Sequence, residues 1–137
     1  MRVQGKSIIV TGAGQGIGEG IARRLAEQGA SVIVNDINTS LGEKVAADIV
    51  KAGGKASFFA ADVTKSDDVK ALVDAAVQRH GKLDVMVNNA GWTHRNRPAL
   101  EVSEEEFDKC FAVNMKSIYL STIHAVPAFR ANKGGSF

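Results

Sequence analysis

A doubly wound parallel α/β sheet, with helices on both faces, is the fold class this sequence predicts. Strand and helix signals alternate along the chain, the order that builds parallel strands joined by crossover helices. The strand segments are near-continuous apolar runs, as strands covered on both faces must be. Glycines stop the helical segments at Gly29, Gly53-Gly54 and Gly81, shortly before the next strand begins.

The first unit runs through Ser7-Ile8-Ile9-Val10, a glycine turn, and a helix with Ile17, Ile21 and Leu25 at four-residue spacing. Ser31 to Asp36 forms the second strand. Asn38 or Thr39 opens a helix with Leu41, Val45 and Ile49 on one face, and Ala56 to Val63 supplies strand three. The next helix starts near Ser66 with Asp67 and Asp68 in its first turn, and carries Val69, Leu72, Val73 and Ala76 inward. Leu83 to Val87 is strand four.

A loop from Trp92 to Val102 follows, and Ser103-Glu104-Glu105-Glu106 reads as a capping box for one long helix reaching roughly Phe129. Pro127 marks a kink or an end. Phe107, Phe111, Met115, Ile118, Tyr119 and Ile123 surround much of this helix, so it has to bury more than one side. One side meets the sheet; the other calls for a partner subunit or for further chain. Without repeats, low-complexity stretches or linkers, residues 1–137 read as a single domain.

Composition narrows the function. The 137 residues are 45% hydrophobic and 23% charged, enough for one compact domain. Lys and Arg are interspersed with acids and the formal net charge is only +2, which argues against nucleic acid as a partner. No apolar run approaches the roughly 20 residues of a membrane span, and no apolar leader precedes the first strand. A cytoplasmic location is the expectation. Cys110 is the only cysteine, which excludes an internal disulfide, and it falls on a helix. His80, His94 and His124 stand far apart with no metal-ligand spacing around them, so no metal site is expected.

The chemistry starts at Thr11-Gly12-Ala13-Gly14-Gln15-Gly16-Ile17-Gly18, between the first strand and the first helix. Helix N-termini carry free N–H groups and partial positive charge, and glycines let a phosphate approach the backbone without meeting a Cβ. The spacing suits a dinucleotide, although a strict G-x-G-x-x-G is absent; what fits is T-G-x-x-x-G-x-G. Together with Asn88-Asn89-Ala90-Gly91 at the end of strand four, this pattern resembles the short-chain dehydrogenase/reductase family. The resemblance implies a Rossmann fold and a nicotinamide dinucleotide.

By that resemblance, Thr11 braces the turn, Gly12 makes the sharp exit from the strand, Gln15 and Gly16 lie along the pyrophosphate, and Gly18 packs helix on strand. Ile17 contributes its N–H while its side chain packs inward. Asp36, about 20 residues past the glycines, accepts from the adenosine ribose diol and repels a 2′-phosphate. Ala13 and Ile37 stand where users of the phosphorylated cofactor place a base, so NAD is expected over NADP. Asp62 and Val63 match the family's adenine contacts. Asn89, Ala90 and Gly91 border the cofactor, with Asn88 and Asn89 acting first as supports for buried backbone. Asn114 matches the asparagine of the catalytic tetrad; Asn disfavours helix interiors, so something local has to hold it.

The expected activity is hydride transfer between nicotinamide and the carbon of a small-molecule alcohol or ketone, by a homo-oligomer (dimer or tetramer) that pairs through the long helix. Trp92, His94, Arg95 and Arg97 either border the substrate or form a solvated basic loop. The family's serine and Tyr-x-x-x-Lys are not present: Tyr119 is followed four positions on by Ile123, and Ser136 precedes the place the family gives its serine. The resemblance covers about the first half of a usual member, so the sheet reads as truncated, with strand four left as an edge. A non-catalytic dinucleotide-binding module is the alternative. A methyltransferase is disfavoured by Thr11, by the gap from Gly12 to Gly16, and by Asn88 to Gly91.

Overall fold

The computed structural model describes all 137 residues, Met1 to Phe137. Four parallel strands, β1 (Ser7–Val10), β2 (Ser31–Asp36), β3 (Lys55–Ala60) and β4 (Val85–Val87), lie in the order β3-β2-β1-β4. Between them run helices α1 (Gly16–Glu27), α2 (Thr39–Lys51) and α3 (Ser66–His80). After β4 come a 3-10 turn (Ala99–Glu101), α4 (Glu104–Phe111), a π-turn (Ala112–Lys116) and α5 (Ser117–Ala131). None of these helices is long and apolar enough to cross a membrane.

Burial on both faces explains the apolar runs. Ile8, Val10, Val32 and Val34 pack with Ala22, Val45 and Ile49 of α1 and α2, whereas Ile9, Ile33 and Met86 pack with Leu72, Val73, Ala76 and Phe129 of α3 and α5. Neighbouring strand residues point to opposite faces, so both parities have to be apolar. Each such side chain contributes roughly 1.5–3 kcal/mol.

The chain steps outward from β1 through β2 to β3, then returns to lay β4 on the other side of β1. That reversal opens a crevice outside the carboxyl ends of β1 and β4, where doubly wound sheets bind ligands. Gly29, Gly53 and Gly81 take φ of +89°, +89° and +80° just past their helices, a conformation costly for residues with a Cβ. Asn38 caps α2 by accepting from the Leu41 N–H, and Ser103 and Glu106 form the expected capping box of α4.

Several details depart from the sequence reading. Helix α1 turns Gly18, Ala22 and Ala26 to the sheet, one residue round from Ile17, Ile21 and Leu25; Ile17 is 79% exposed, so its side chain does not pack inward. Small residues let α1 lie close on β1. Strand β3 ends at Ala60, where its partner β2 ends at Asp36. The single long helix is interrupted by the π-turn, and α5 runs through Pro127 to Ala131. The outer edge of β4 is not bare: Met86 N–H donates to Ser136 O, and Ser136 N–H to Asp84 O.

Strand β4 starts two residues later than expected because Asp84 serves the sheet's lower end. Its buried carboxylate accepts from the Ser7 N–H at 2.8 Å and from Asn132 Nδ2 at 3.2 Å, and pairs with Lys82 at 3.1 Å. Burial works to raise its pKa, but the Ser7 N–H, Lys82 and Asn132 outweigh it and hold the carboxyl below its ordinary value. A depressed folded pKa gives stability that is present above the unfolded value of about 3.9 and lost as pH falls through the folded one. Asp84→Asn is therefore expected to cost about 2 kcal/mol at neutral pH. Urea unfolding followed from pH 7 to pH 3 should show a shallower acid loss than in the parent protein.

Candidate functional site

A cleft of about 510 Å³ opens at the switch point, within the range of small-ligand sites. Gly12, Gln15, Asp36, Asp62, Val63, Asn89, Ala90 and Gly91 line it, so four separate chain segments meet there.

Thr11 and Asn89 build its floor. Thr11 Oγ1 accepts from the N–H groups of Asn89 (3.1 Å) and Ala90 (3.0 Å), and donates to Val87 O. Asn89 Nδ2 in turn donates to Thr11 O at 2.9 Å and Gly12 O at 3.1 Å. No buried side-chain polar atom in the molecule lacks a partner, those of Thr11 and Asn89 included. Support comes from Asn89 alone, because half-buried Asn88 makes no side-chain hydrogen bond and so does not take the supporting role expected of it.

The glycines fit this floor closely. At Gly12, where φ is +61°, a Cβ would stand 2.9 Å from Ala90 Cα. At Gly18 any Cβ would collide with Gly12 O and Asn89 Nδ2. Gly16, at φ +60°, faces open space on the outside of the turn. No side chain caps α1: Gln15 stands at its N-cap without a side-chain bond, so the first N–H groups of the helix, those of Gly16, Ile17 and Gly18, have no capping side chain. That makes Ile17 a backbone donor with a solvent-facing side chain.

Carboxylates line the far side. Asp36 Oδ2 accepts from Gly14 N–H at 2.9 Å and its Oδ1 from Asn38 N–H at 2.9 Å, which ties the glycine turn to the end of β2. Ala13 is fully buried and Ile37 exposed, so no cation stands beside Asp36 at either position. Asp62 Oδ1 accepts from the Thr64 hydroxyl and N–H. Burial works to raise the Asp62 pKa; the Thr64 bonds, with Lys65 and Lys109 nearby, outweigh it and hold it low.

Thr11, Gly16, Ile17, Gly18 and Asn114 do not line the cleft itself. Thr11 and Gly18 lie beneath it. Asn114 lies behind Gly91, where its Oδ1 accepts from Trp92 N–H at 3.1 Å and its Nδ2 donates to Trp92 O at 2.6 Å. These bonds, with one to Cys110 O, hold an asparagine within the π-turn, and such turns gather at functional positions. Sequence reasoning missed Asn35, Thr64 and Lys109 among the lining residues. Asn35, fully buried, donates to Phe59 O and Ala61 O; its only signal was an amide inside a buried strand. Lys109 sits 4.2 Å from the Trp92 ring centroid. No group of three or more His, Cys, Asp or Glu side chains comes together to hold a metal.

A parallel sheet with a reversed strand order, a glycine turn entering an uncapped helix and a crevice at the switch point define a Rossmann-type domain. The family model described as short chain dehydrogenase matches residues 6–137, and the chain belongs to that family. It is 47% identical over 129 residues to a 4-formylbenzenesulfonate dehydrogenase of Comamonas testosteroni, covering 94% of this chain and 51% of that protein. An uncharacterized oxidoreductase of Thermotoga maritima is 42% identical, with 98% and 53% covered. The chain thus spans about half the length of the curated relatives it matches. Among solved structures, a metagenomic short-chain oxidoreductase in complex with NADP superposes with TM-score 0.91 at 37% identity, covering 98% of this chain and 61% of that one. A 3-ketoacyl-(acyl-carrier-protein) reductase of Brucella melitensis complexed with NADH gives 0.89 at 43%, with 95% and 52% covered.

Proposed function

We propose that the cleft holds NAD, and that these residues form the cofactor-binding part of an oxidoreductase transferring hydride between nicotinamide and the carbon of a small alcohol or carbonyl compound. One observation carries the reading: Asp36 stands at the cleft with its carboxylate fixed by the Gly14 and Asn38 N–H groups and no cation at Ala13 or Ile37. The residues fit the group. The uncapped N–H groups of Gly16, Ile17 and Gly18 suit a diphosphate, and the open face of Gly16 gives it room. Asp36 suits a ribose diol and excludes a 2′-phosphate by charge, while Asp62 and Val63 offer an acceptor and an apolar wall to a purine. Asn89, Ala90 and Gly91 close the inner side, and Gln15 the outer.

When bound, the nicotinamide supplies the hydride chemistry. What this chain's own residues do is position: Thr11 and Asn89 fix the turn, and Asn114 fixes Trp92 beside the cleft and takes the place of the family's relay asparagine. Tyr119 is 61% exposed on α5 and has Ile123, not lysine, four residues on. That observation favours binding without turnover as the second reading for these residues by themselves.

Phe107, Phe111, Met115 and Tyr119 stand more than half exposed along α4, the π-turn and α5. So broad an apolar face supports a homo-oligomer. NADH titration by cofactor fluorescence tests the function, with NADPH and S-adenosylmethionine alongside. NADH binding at least about tenfold tighter than NADPH is expected from the Asp36 charge. No NADH binding, or displacement of NADH by S-adenosylmethionine, overturns the reading.

A further inference from the structure

The geometry points to Cys110 as a positioning residue that holds the Asn114 carboxamide, and through it the Trp92 backbone, against the cleft. The inference rests on the reading of Asn114 and the cleft given above. Cys110 sits one turn before Asn114, at the end of α4. Asn114 Nδ2 donates to Cys110 O at 2.8 Å and lies 3.3 Å from Cys110 Sγ, besides its bond to Trp92 O. The thiol itself points at Trp92 O, 3.6 Å away. In a π-turn the backbone pairs five residues apart instead of four, and here the Cys110 carbonyl accepts from the Asn114 side chain.

The orientation of the carboxamide follows from its partners. Trp92 N–H can only donate and so faces Oδ1; the carbonyls of Trp92 and Cys110 can only accept and so face Nδ2. The thiol fills the space between that amide and the Trp92 carbonyl, polarisable enough to accept from one and donate to the other. Removing it takes away one of the contacts on Nδ2 and leaves those to Trp92 and to the Cys110 carbonyl, so the carboxamide is held less firmly against Trp92. Gly91 gives the carboxamide its room, since a Cβ added there would stand 3.1 Å from Asn114 Oδ1.

Amide hydrogen exchange at Trp92 N–H reads the clamp directly, because that hydrogen bonds Asn114 Oδ1. Cys110→Ala, a substitution suited to a helix, is expected to speed Trp92 N–H exchange by about threefold, the equivalent of one weak hydrogen bond, with the Ile9 and Ile33 amides unchanged. Asn114→Ala should speed it at least as much, and the double variant no further than Asn114→Ala alone. Unchanged Trp92 exchange, additive effects in the double variant, or equal acceleration of the core amides overturns the inference. The exchange needs no cofactor, so a failure of NADH to bind in parallel titrations sinks the functional reading while the clamp is judged separately.

Discussion

Gly18→Ala is expected to remove about 3–5 kcal/mol of stability, the sum of forced overpacking and a broken buried hydrogen bond. The added methyl has no place to go: it would collide with the Gly12 carbonyl, which belongs to a backbone turn, and with Asn89 Nδ2, which ties β1 to the segment after β4. Relief requires lifting α1 off the sheet or turning Asn89 out, and the second leaves Thr11 O and Gly12 O without their partner. Against the 5–15 kcal/mol typical of whole domains, the loss takes a large share. Gly20, two residues on in the same helix, has nothing within 4 Å of its Cβ position. Gly20→Ala should instead gain about 0.5–1 kcal/mol, from helix propensity and a less flexible unfolded chain. Urea midpoints of the two variants should therefore move in opposite directions; a Gly18→Ala midpoint within error of the parent would refute the packing argument.

Asp36→Asn should invert or erase the cofactor preference proposed for the cleft. Asparagine keeps an acceptor for only one of the Gly14 and Asn38 N–H groups, loses the charge that meets a 2′-phosphate, and gives up an ionised acceptor for the ribose diol. Like charges in contact cost several kcal/mol and hydrogen bonds to charged groups about 1.5–3, so the NADPH-to-NADH affinity ratio should rise by on the order of 100-fold. Dissociation constants for both cofactors, taken at one ionic strength because the effect is screened, decide it. A parent protein that already binds NADPH as tightly as NADH would contradict the role given to Asp36.

The fold was legible because its determinants are local. Burial on both faces makes β1 and β2 unbroken apolar runs, and helix ends advertise themselves through glycines at positive φ and through the Ser103 and Asn38 caps. Thr11, Gly12, Asp36, Asp62 and Asn89 were named as one group through the resemblance to the short-chain family, and each lies at or just past the end of a strand on the same side of the sheet. Features set by tertiary contact were not. The π-turn carries no signal in the apolar pattern of its helix, and Asn114 within it takes its partner from Trp92, 22 residues away. Ile17 satisfied the helical period, yet the sheet selected the smaller residues beside it. Asn88 and Asn89 are identical in type and adjacent, and only the three-dimensional position of Thr11 distinguishes them. Lys109 reaches the cleft from a helix whose apolar pattern gave no sign that a lysine on it would face a ligand.

The bonds that join Thr11 and Gly12 to Asn89 and Ala90 span 77 to 79 residues of chain. Contacts so distant in sequence pay their loop-closure entropy before they return anything, so they form late and slow the search for the native state. The glycine turn cannot be prepared in advance by its own neighbourhood: until β4 docks against β1, Thr11 and Gly12 lack the groups that shape them. A ligand of the cleft therefore recognises only the completed domain. Saturating it at 100 times its dissociation constant would add about 2.7 kcal/mol to the global unfolding free energy, and its dissociation would be felt as far away as the protease resistance of β3.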